Sequence, residues 1–448
     1  MTLYSRVLDA SDPGTGKTRV QVELISSRYR KNKKKALVIA PKSLLTSTWK
    51  NEFATYAPQI RTSVATAANR PKAFQEDADV YITNIDATVW LAKQPAKFFA
   101  DFDTLIIDES SAFKHRTSLR SKALNKIKKY FHYRYALTGT PNSNSITDIW
   151  HQIFILDDGK RLGKSFFQFR NSVCEPKQVG PHPNAIQWTD KPGIELVVAS
   201  LLADMTVRHV FEECISIPED HCYSVPYTLS GKQRIIYKQM ENDTLLQLNN
   251  GAIVSAINAA GVRNKLLQIA SGASYSDFDP SSADYSLIDT GRYELVADLV
   301  DQRAHCIVFY IWIHQRDLLI EEFKRRGISY VALSGNTNDK DRAAAVKNFQ
   351  NGLYRVFLAH PINAAHGLTL TKANTTIWPS PTYNLEHWVQ GNRRIRRPGQ
   401  LQKTETITVI AEDTIEDYVL GRLNVKDERM ASTLDILGDY FRAWTESV

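Results

Sequence analysis

The chain has 448 residues, too many for one ordinary core and suited to two domains of roughly 200 residues each. No apolar run approaches the roughly 20 residues that span a bilayer, and no apolar signal segment with a cleavage site opens the chain, so a membrane partner is not expected and an intracellular location is. Its 56 Lys and Arg against 48 Asp and Glu leave a formal net charge of +8, an excess that suits a polyanionic partner.

Four scattered cysteines, Cys174, Cys214, Cys222 and Cys306, form no CxxC pair and have no histidine at finger spacing. That pattern indicates neither zinc nor a disulfide framework but reduced, mostly buried thiols.

Near the start stands DPGTGKT (Asp12–Thr18). Gly14, Thr15, Gly16, Lys17 and Thr18 give the GxGKT core of a phosphate loop. The glycines let backbone N–H groups approach phosphate, Lys17 reaches the β and γ oxygens of ATP, and Thr18 ligates Mg²⁺. The full pattern wants a further glycine where Ser11 stands, so context has to support the match. The VQVELI stretch that follows reads as the helix behind the loop, and the basic run Lys31, Lys33, Lys34 and Lys35 as a solvated turn before a strand.

Apolar strand-like runs then recur at Ala36–Ala40, Val80–Thr83, Leu105–Ile107 and Tyr135–Thr138, each followed by turn residues and a helical pattern. This alternation predicts a parallel sheet flanked by helices. The third run delivers Asp108 and Glu109 at its carboxyl end, where α/β ligand sites lie. Asp108 is expected to hold Mg²⁺ and Glu109 to orient or deprotonate the attacking water.

From Trp150 to about Lys232 aromatics, prolines and helix formers outnumber strand signals, with turn clusters at Val179–Pro183 and Pro218–Asp220. The stretch reads as a helical insertion and crossover. Strand runs resume at Cys306–Tyr310, Tyr330–Leu333, Arg355–Ala359, Thr376–Trp378 and Thr406–Ile410. The fold class is therefore α/β, with two tandem parallel-sheet lobes. Residues 1–217 form the first, with its insertion from about 151, and residues 218–448 the second, the boundary lying near Pro218. Ser271–Asp289 is small, polar and without period, a flexible loop, and Thr433–Val448 reads as a packed final helix.

Ten blocks stand in order along the chain. After the phosphate loop come APKSLLTSTWKNEF (Ala40–Phe53), YITNID (Tyr81–Asp86), DESSAFK (Asp108–Lys114), LTGTPNSNSITDIW (Leu137–Trp150) and LLADMTVRHV (Leu201–Val210). IVFYIWIHQRDLL (Ile307–Leu319), LSGNTNDKDRAAAVKNF (Leu333–Phe349), AHGLTLTKANTTIW (Ala365–Trp378) and QGNRRIRRPGQ (Gln390–Gln400) complete the series. Together they resemble the ordered motifs of the Swi/Snf-type ATPases of helicase superfamily two, over nearly the whole chain.

The resemblance implies two RecA-like lobes, ATP bound between them, and a nucleic-acid track across both. It implies that Arg394 and Arg397 reach the γ-phosphate, where a guanidinium fork stabilises charge spreading over phosphoryl oxygens. Gly367, in the GLTLT turn with Leu368, Thr369 and Thr371, permits close backbone approach to phosphate. Lys42, Ser43, Thr83, Thr138, Thr140 and Thr371 match positions that face nucleic acid or link it to the ATP site, as short polar groups at strand ends suit phosphate contacts. Trp49 and Trp150 match helix residues that pack and carry no assigned function.

The chain departs from the family in three places. Arg393 and Arg396 stand where an acidic residue and a histidine are usual, so they are extra positive charges for DNA phosphates or a solvated face. Ser111 replaces the histidine that helps couple the ATP site to DNA. About a dozen residues precede the phosphate loop, too few for the family's adenine-reading glutamine motif, so the expectation is either poor base selectivity or a truncated chain.

The compact form and the HPINAAHGL variant (His360–Leu368) look like phage or bacterial relatives. The expected activity is an ATP-dependent, monomeric DNA helicase or translocase that uses ATP and Mg²⁺. It is expected to act on forked, branched or duplex DNA in replication, recombination or repair, including branch migration. The alternatives are a duplex translocase without strand separation, a nucleotide-gated DNA-binding scaffold whose hydrolysis has decayed, and a P-loop kinase or metabolic ATPase.

Overall fold

The computed structural model describes residues 4–178, 186–214, 218–249, 256–275, 284–335, 337–364 and 368–425. These divide into two compact units, one of residues 4–175 and 189–214, the other of 176–178, 186–188 and the described part of 218–425.

The first unit is built on β1 (Arg6–Asp9), β2 (Lys35–Ala40), β3 (Thr62–Ala65), β4 (Val80–Asn84), β5 (Phe102–Asp108) and β6 (Tyr133–Leu137). After the pair β7 (Cys174–Gln178) and β8 (Ile186–Asp190), β9 (Thr206–Val207) returns to the same sheet. Its order is β3-β4-β2-β5-β6-β1-β9, parallel throughout. Ala36, Val38 and Ala40 join Ile106 in one apolar cluster, while Leu37 and Ile39 join Leu105 and Ile107 in another. The two-residue period therefore feeds a core on each face, which is why these strands read as unbroken apolar runs. Because all strands run the same way, Asp9, Ala40, Asp108 and Leu137 end at one edge of the sheet.

The second unit repeats the plan with β10 (Asp220–Tyr227), β11 (Ala273–Tyr275), β12 (Tyr285–Leu287), β13 (Cys306–Phe309), β14 (Tyr330–Leu333), β15 (Val356–Ala359), β16 (Thr375–Trp378) and β17 (Thr404–Ala411). Its main sheet, β10-β17-β16-β13-β15-β14, is again parallel. Cys306 and Val308 face one core and Ile307 and Phe309 the other. The chain thus has two α/β lobes, each built on a parallel sheet, as the sequence predicts.

Several elements differ from the sequence reading. The Pro218–Asp220 turn cluster leads straight into the eight residues of β10. That strand lies at the sheet edge, where Pro226 costs no ladder hydrogen bond. The Ser271–Asp289 stretch is not a plain loop, since β11 and β12 pair antiparallel. Tyr275 and Tyr285 face each other at 5.9 Å and both contact His314, so two aromatics supply the cross-strand contact that composition hides. The insertion contains the β7–β8 pair as well as helices Asp148–Asp157, Phe166–Val173 and Ile194–Leu202. Cys174 and Cys306 are buried, whereas Cys214 and Cys222 are exposed. Val179–Pro183, Ser276–Ser282 and the Thr433–Val448 helix lie outside the described residues. Among the described residues no helix is long and apolar enough to cross a membrane.

Trp49 and Trp150 are buried, as expected of packing residues. Beside Trp150, His151 sits with Nδ1 2.5 Å from the Phe113 carbonyl and Nε2 2.9 Å from the Asn125 amide nitrogen. A neutral ring, donating from Nδ1 and accepting at Nε2, satisfies both contacts. Burial holds its pKa down to about 4. The unfolded chain takes up this proton near pH 6.5 and the folded chain does not, so stability is full above pH 6.5 and falls as the pH drops toward 4. This ring should withdraw up to about 3 kcal/mol over that window. Urea midpoints should show a His151→Gln variant less stable than the parent at pH 7 but with a shallower loss on acidification. Parallel pH curves for the two chains would contradict this.

Candidate nucleotide-binding site

The chain between β1 and the first helix, α1 (Lys17–Asn32), needs two residues that tolerate a left-handed backbone. Gly14 (φ 94°) and Gly16 (φ 88°) supply them, and Gly16 caps α1 so that its free N–H groups face the loop. Lys17 turns back over the loop, its Nζ donating to the Ser11 carbonyl at 2.6 Å and the Asp12 carbonyl at 3.0 Å. Desolvation lowers the Lys17 pKa, opposed by the Asp9, Glu109, Asp108 and Asp12 carboxylates.

Asp108 stands buried at the end of β5. Its Oδ1 accepts the Glu109 N–H at 3.0 Å and its Oδ2 the Trp49 indole N–H at 2.8 Å. Burial raises its pKa, with the Trp49 bond and the Lys17 charge opposing. Glu109 has φ 53°, a left-handed conformation rare outside glycine, at the residue assigned to the attacking water. Ser110 donates to Gln152 Oε1 at 2.7 Å, and Gln152 Nε2 donates to the Pro141 carbonyl at 2.7 Å. The DESS turn is thereby tied to the TGTP turn.

The TGTP turn abuts the phosphate loop from below. Thr138 donates its N–H to the Asp9 carbonyl, and a Cβ on Gly139 would meet Pro13 Cδ at 2.8 Å. Thr138 and Thr140 are buried, with the Thr140 N–H bonded to the Thr138 hydroxyl. They sit between the phosphate loop and the DESS turn rather than on an open surface. Thr83 is also buried, its hydroxyl donating to the Ala65 carbonyl. Lys42 is exposed and Ser43 half-buried in the turn after β2. A cavity of about 690 Å³ opens beside the loop, lined by Asp9, Ser11, Lys17, Val20, Val207 and His209 among others.

A second segment, unassigned by sequence, holds the loop from its far side. Arg208 Nη1 pairs with Asp12 Oδ1 at 2.6 Å, both side chains buried, and also donates to the Ala10 carbonyl at 3.1 Å. Asp12 Oδ2 accepts the Phe211 N–H, the Asp12 N–H bonds to the His209 carbonyl, and the His209 N–H bonds to the Ser11 hydroxyl. The Phe211 ring lies against Gly14. The LLADMTVRHV block quoted above contains Arg208 and His209. The one sequence signal for their role is the complementary charge of Asp12.

In the second unit Arg394 is buried, with Nε donating to the Gln390 carbonyl at 2.7 Å and Nη1 to the Leu368 carbonyl at 3.3 Å. Arg397 is less buried, its Nε 3.4 Å from the Arg393 carbonyl. Arg396 lies 4.0 Å from Asp220, so it serves in part as an internal ion pair. The Leu370 N–H bonds to the Arg394 carbonyl and Gln400 Nε2 donates to the Thr371 carbonyl, which ties the GLTLT and arginine segments together, while the Thr371 hydroxyl accepts from Gln350. Gly367 lies outside the described residues.

The donors that the sequence reading expects for a divalent cation, the Asp108 carboxylate and the Thr18 hydroxyl, are both hard oxygens. That set fits Mg²⁺, which takes one or two carboxylates plus phosphate oxygens and water. Among the described residues no cluster of three or more His, Cys, Asp or Glu forms an all-protein metal cage.

A family profile for the SNF2-related domain matches residues 7–271, and one for the helicase conserved C-terminal domain matches residues 291–399. Putative protein p41 of Acyrthosiphon pisum secondary endosymbiont phage 1 is 28% identical over 433 residues, covering 92% of this chain and 91% of that one. An uncharacterized ATP-dependent helicase of Mycoplasma pneumoniae is 26% identical over 450 residues, which are 97% of this chain but 41% of its own length. Among solved structures, the Sulfolobus solfataricus SWI2/SNF2 ATPase core in complex with dsDNA is 22% identical, covers 97% of this chain and 91% of its own, and gives a TM-score of 0.42.

The two loop glycines should respond differently to alanine. A Cβ on Gly14 would meet the Phe211 ring at 2.8 Å, whereas one on Gly16 has nothing within 4 Å. Both pay a left-handed backbone cost of about 1–2 kcal/mol. Only Gly14→Ala adds a clash, so it should lower the melting temperature and weaken fluorescent-nucleotide binding more than Gly16→Ala. Phe211→Ala should recover part of that difference, and equal behaviour of the two alanine variants would exclude the Phe211 contact as a constraint.

Proposed function

Because the chain belongs to the SNF2-related family, we propose that its two units work as one ATP-driven motor on DNA, remodelling forked or branched DNA in replication, recombination or repair. The observation that carries the reading is the first unit's assembly. A phosphate loop, a lysine turned over it and a paired Asp108–Glu109 meet at one edge of a parallel sheet.

In this reading the α1 N-terminus and the loop N–H groups receive the phosphates of ATP. Lys17 exchanges its Ser11 and Asp12 carbonyls for β and γ oxygens. Mg²⁺, held by Asp108 and Thr18, supplies charge neutralisation of the phosphates when bound. Glu109, fixed by its left-handed backbone, orients the water that attacks the γ-phosphorus in line with the departing ADP oxygen. Arg394 and Arg397 stabilise charge on the transferring phosphoryl group, a role the family assigns to these positions.

On the DNA side, Lys42, Ser43 and the extra charges of Arg393 and Arg396 suit phosphate contacts that hold the backbone regardless of sequence. Thr138 and Thr140 connect the two functions, lying against the phosphate loop. Likeness to a phage protein over nine tenths of both chains supports a compact motor of phage or bacterial type.

ATP hydrolysis should rise several-fold on adding DNA, vary little with base sequence, and lose its stimulation steeply with salt. Lys17→Ala should abolish turnover, and Glu109→Gln should keep nucleotide binding while losing about a hundredfold or more in rate. A panel of single-stranded, duplex, forked and four-way DNA with matching RNA ranks the substrates. Highest stimulation by forks or junctions supports the branched-DNA reading, and a rate indifferent to every nucleic acid contradicts the motor. Strand displacement on forks separates remodelling from duplex translocation without unwinding.

A further inference from the structure

Trp49 is fully buried in the first unit's core beside Phe53, at 6.5 Å between ring centres. Packing alone does not account for its placement, because its one polar atom ends on Asp108. The indole N–H donates to Asp108 Oδ2 at 2.8 Å across 59 residues of sequence. The segment that carries it, Leu45–Lys50, is wound as a π-helical turn. Such wide turns are rare, recur at functional sites, and re-aim side chains relative to an α-helix. The turn follows β2 after a short link of residues 41–44, and the neighbour of β2 in the sheet is β5, the strand that ends at Asp108.

The geometry around Asp108 gives the bond its consequence. A carboxylate can rotate about its last torsion, and a metal ligand must present one oxygen in a fixed direction. Here the Glu109 N–H holds Oδ1 and the Trp49 N–H holds Oδ2, so both oxygens are pinned and each keeps a further lone pair. An indole is a donor only, so it cannot compete for the cation, and its rigid ring in a packed core transmits position without rotamer freedom.

We propose that Trp49 is a positioning residue for the metal site, orienting the Asp108 carboxylate toward the divalent cation that accompanies ATP. The inference rests on the assignment of Asp108 to that cation in the preceding reading, and it does not depend on DNA. Hydrogen-bond partners behind metal ligands commonly set affinity by roughly ten- to a hundredfold.

The test is equilibrium binding of Mn²⁺, read by electron paramagnetic resonance, to the full chain saturated with a non-hydrolysable ATP analogue and without DNA. Trp49→Phe keeps an aromatic ring and removes the N–H. Its Mn²⁺ affinity should fall by roughly tenfold, while affinity for the analogue without metal stays within about twofold. Phe53→Leu is the packing control, disturbing the same cluster but leaving the N–H, and should lower the melting temperature with Mn²⁺ affinity unchanged. Should Trp49→Phe not fold, benzothienylalanine at position 49 replaces only the N–H by sulfur and is expected to give the same loss. Parental Mn²⁺ affinity in a folded N–H-deleted chain, or an equal loss in Phe53→Leu, overturns the proposal. Failure of DNA to stimulate hydrolysis would instead count against the motor reading and leave this result standing.

Discussion

The buried pair between Asp12 and Arg208 is the constraint on which the phosphate loop's shape depends. Burying two opposite charges gains little by itself, because desolvation offsets most of the attraction. Removing one partner, however, strands the other at a cost of about 3–5 kcal/mol. The arrangement lessens its own desolvation cost, since Asp12 also receives the Phe211 N–H and Arg208 also reaches the Ala10 carbonyl. With Asp12 so held, Pro13 is set against Gly139 and Gly14 against Phe211. A loop of small residues with two left-handed positions has little stiffness of its own. Its anion-binding form is imposed by the segment after β9 and by the TGTP turn.

The same economy recurs at Asp108, where two N–H groups fix both oxygens, and at the DESS turn, where Gln152 joins Ser110 to Pro141. Asp108 and the DESS turn are thus each held by a partner from another part of the first unit. Reorientation in one turn is felt by its neighbours through buried hydrogen bonds, which low local dielectric makes costly to leave unmade. Ser110 and Ser111 are both buried, so a family histidine's place is taken by small side chains, and the Gln152 bridge supplies a direct connection between the turns.

Much of this was legible in the sequence where the physics is local. The phosphate loop announced itself because only glycine meets its backbone angles. The central strands did so because cores on both faces demand unbroken apolar residues, as in Leu105–Ile107. Edge elements were harder to read. β9 has two residues, and β10 is mostly exposed and carries Pro226, so neither shows a buried strand's pattern. The tertiary partners were least legible. Arg208 meets Asp12 across 196 residues, and nothing in the local run around Trp49 distinguishes a packing indole from one that also holds a carboxylate. Arg394 was read from resemblance as a γ-phosphate ligand, and its burial among carbonyls is a property that spacing does not encode.

The reading proposed above gives Arg397 a part in the hydrolysis step itself. Single-turnover hydrolysis of pre-bound ATP by Arg397→Ala tests it most directly, because it separates binding from the chemical step. The account predicts nucleotide affinity within about threefold of the parent and a hydrolysis step slower by at least a hundredfold, the order expected for loss of a guanidinium from a phosphoryl-transfer site. An unchanged single-turnover rate would contradict it.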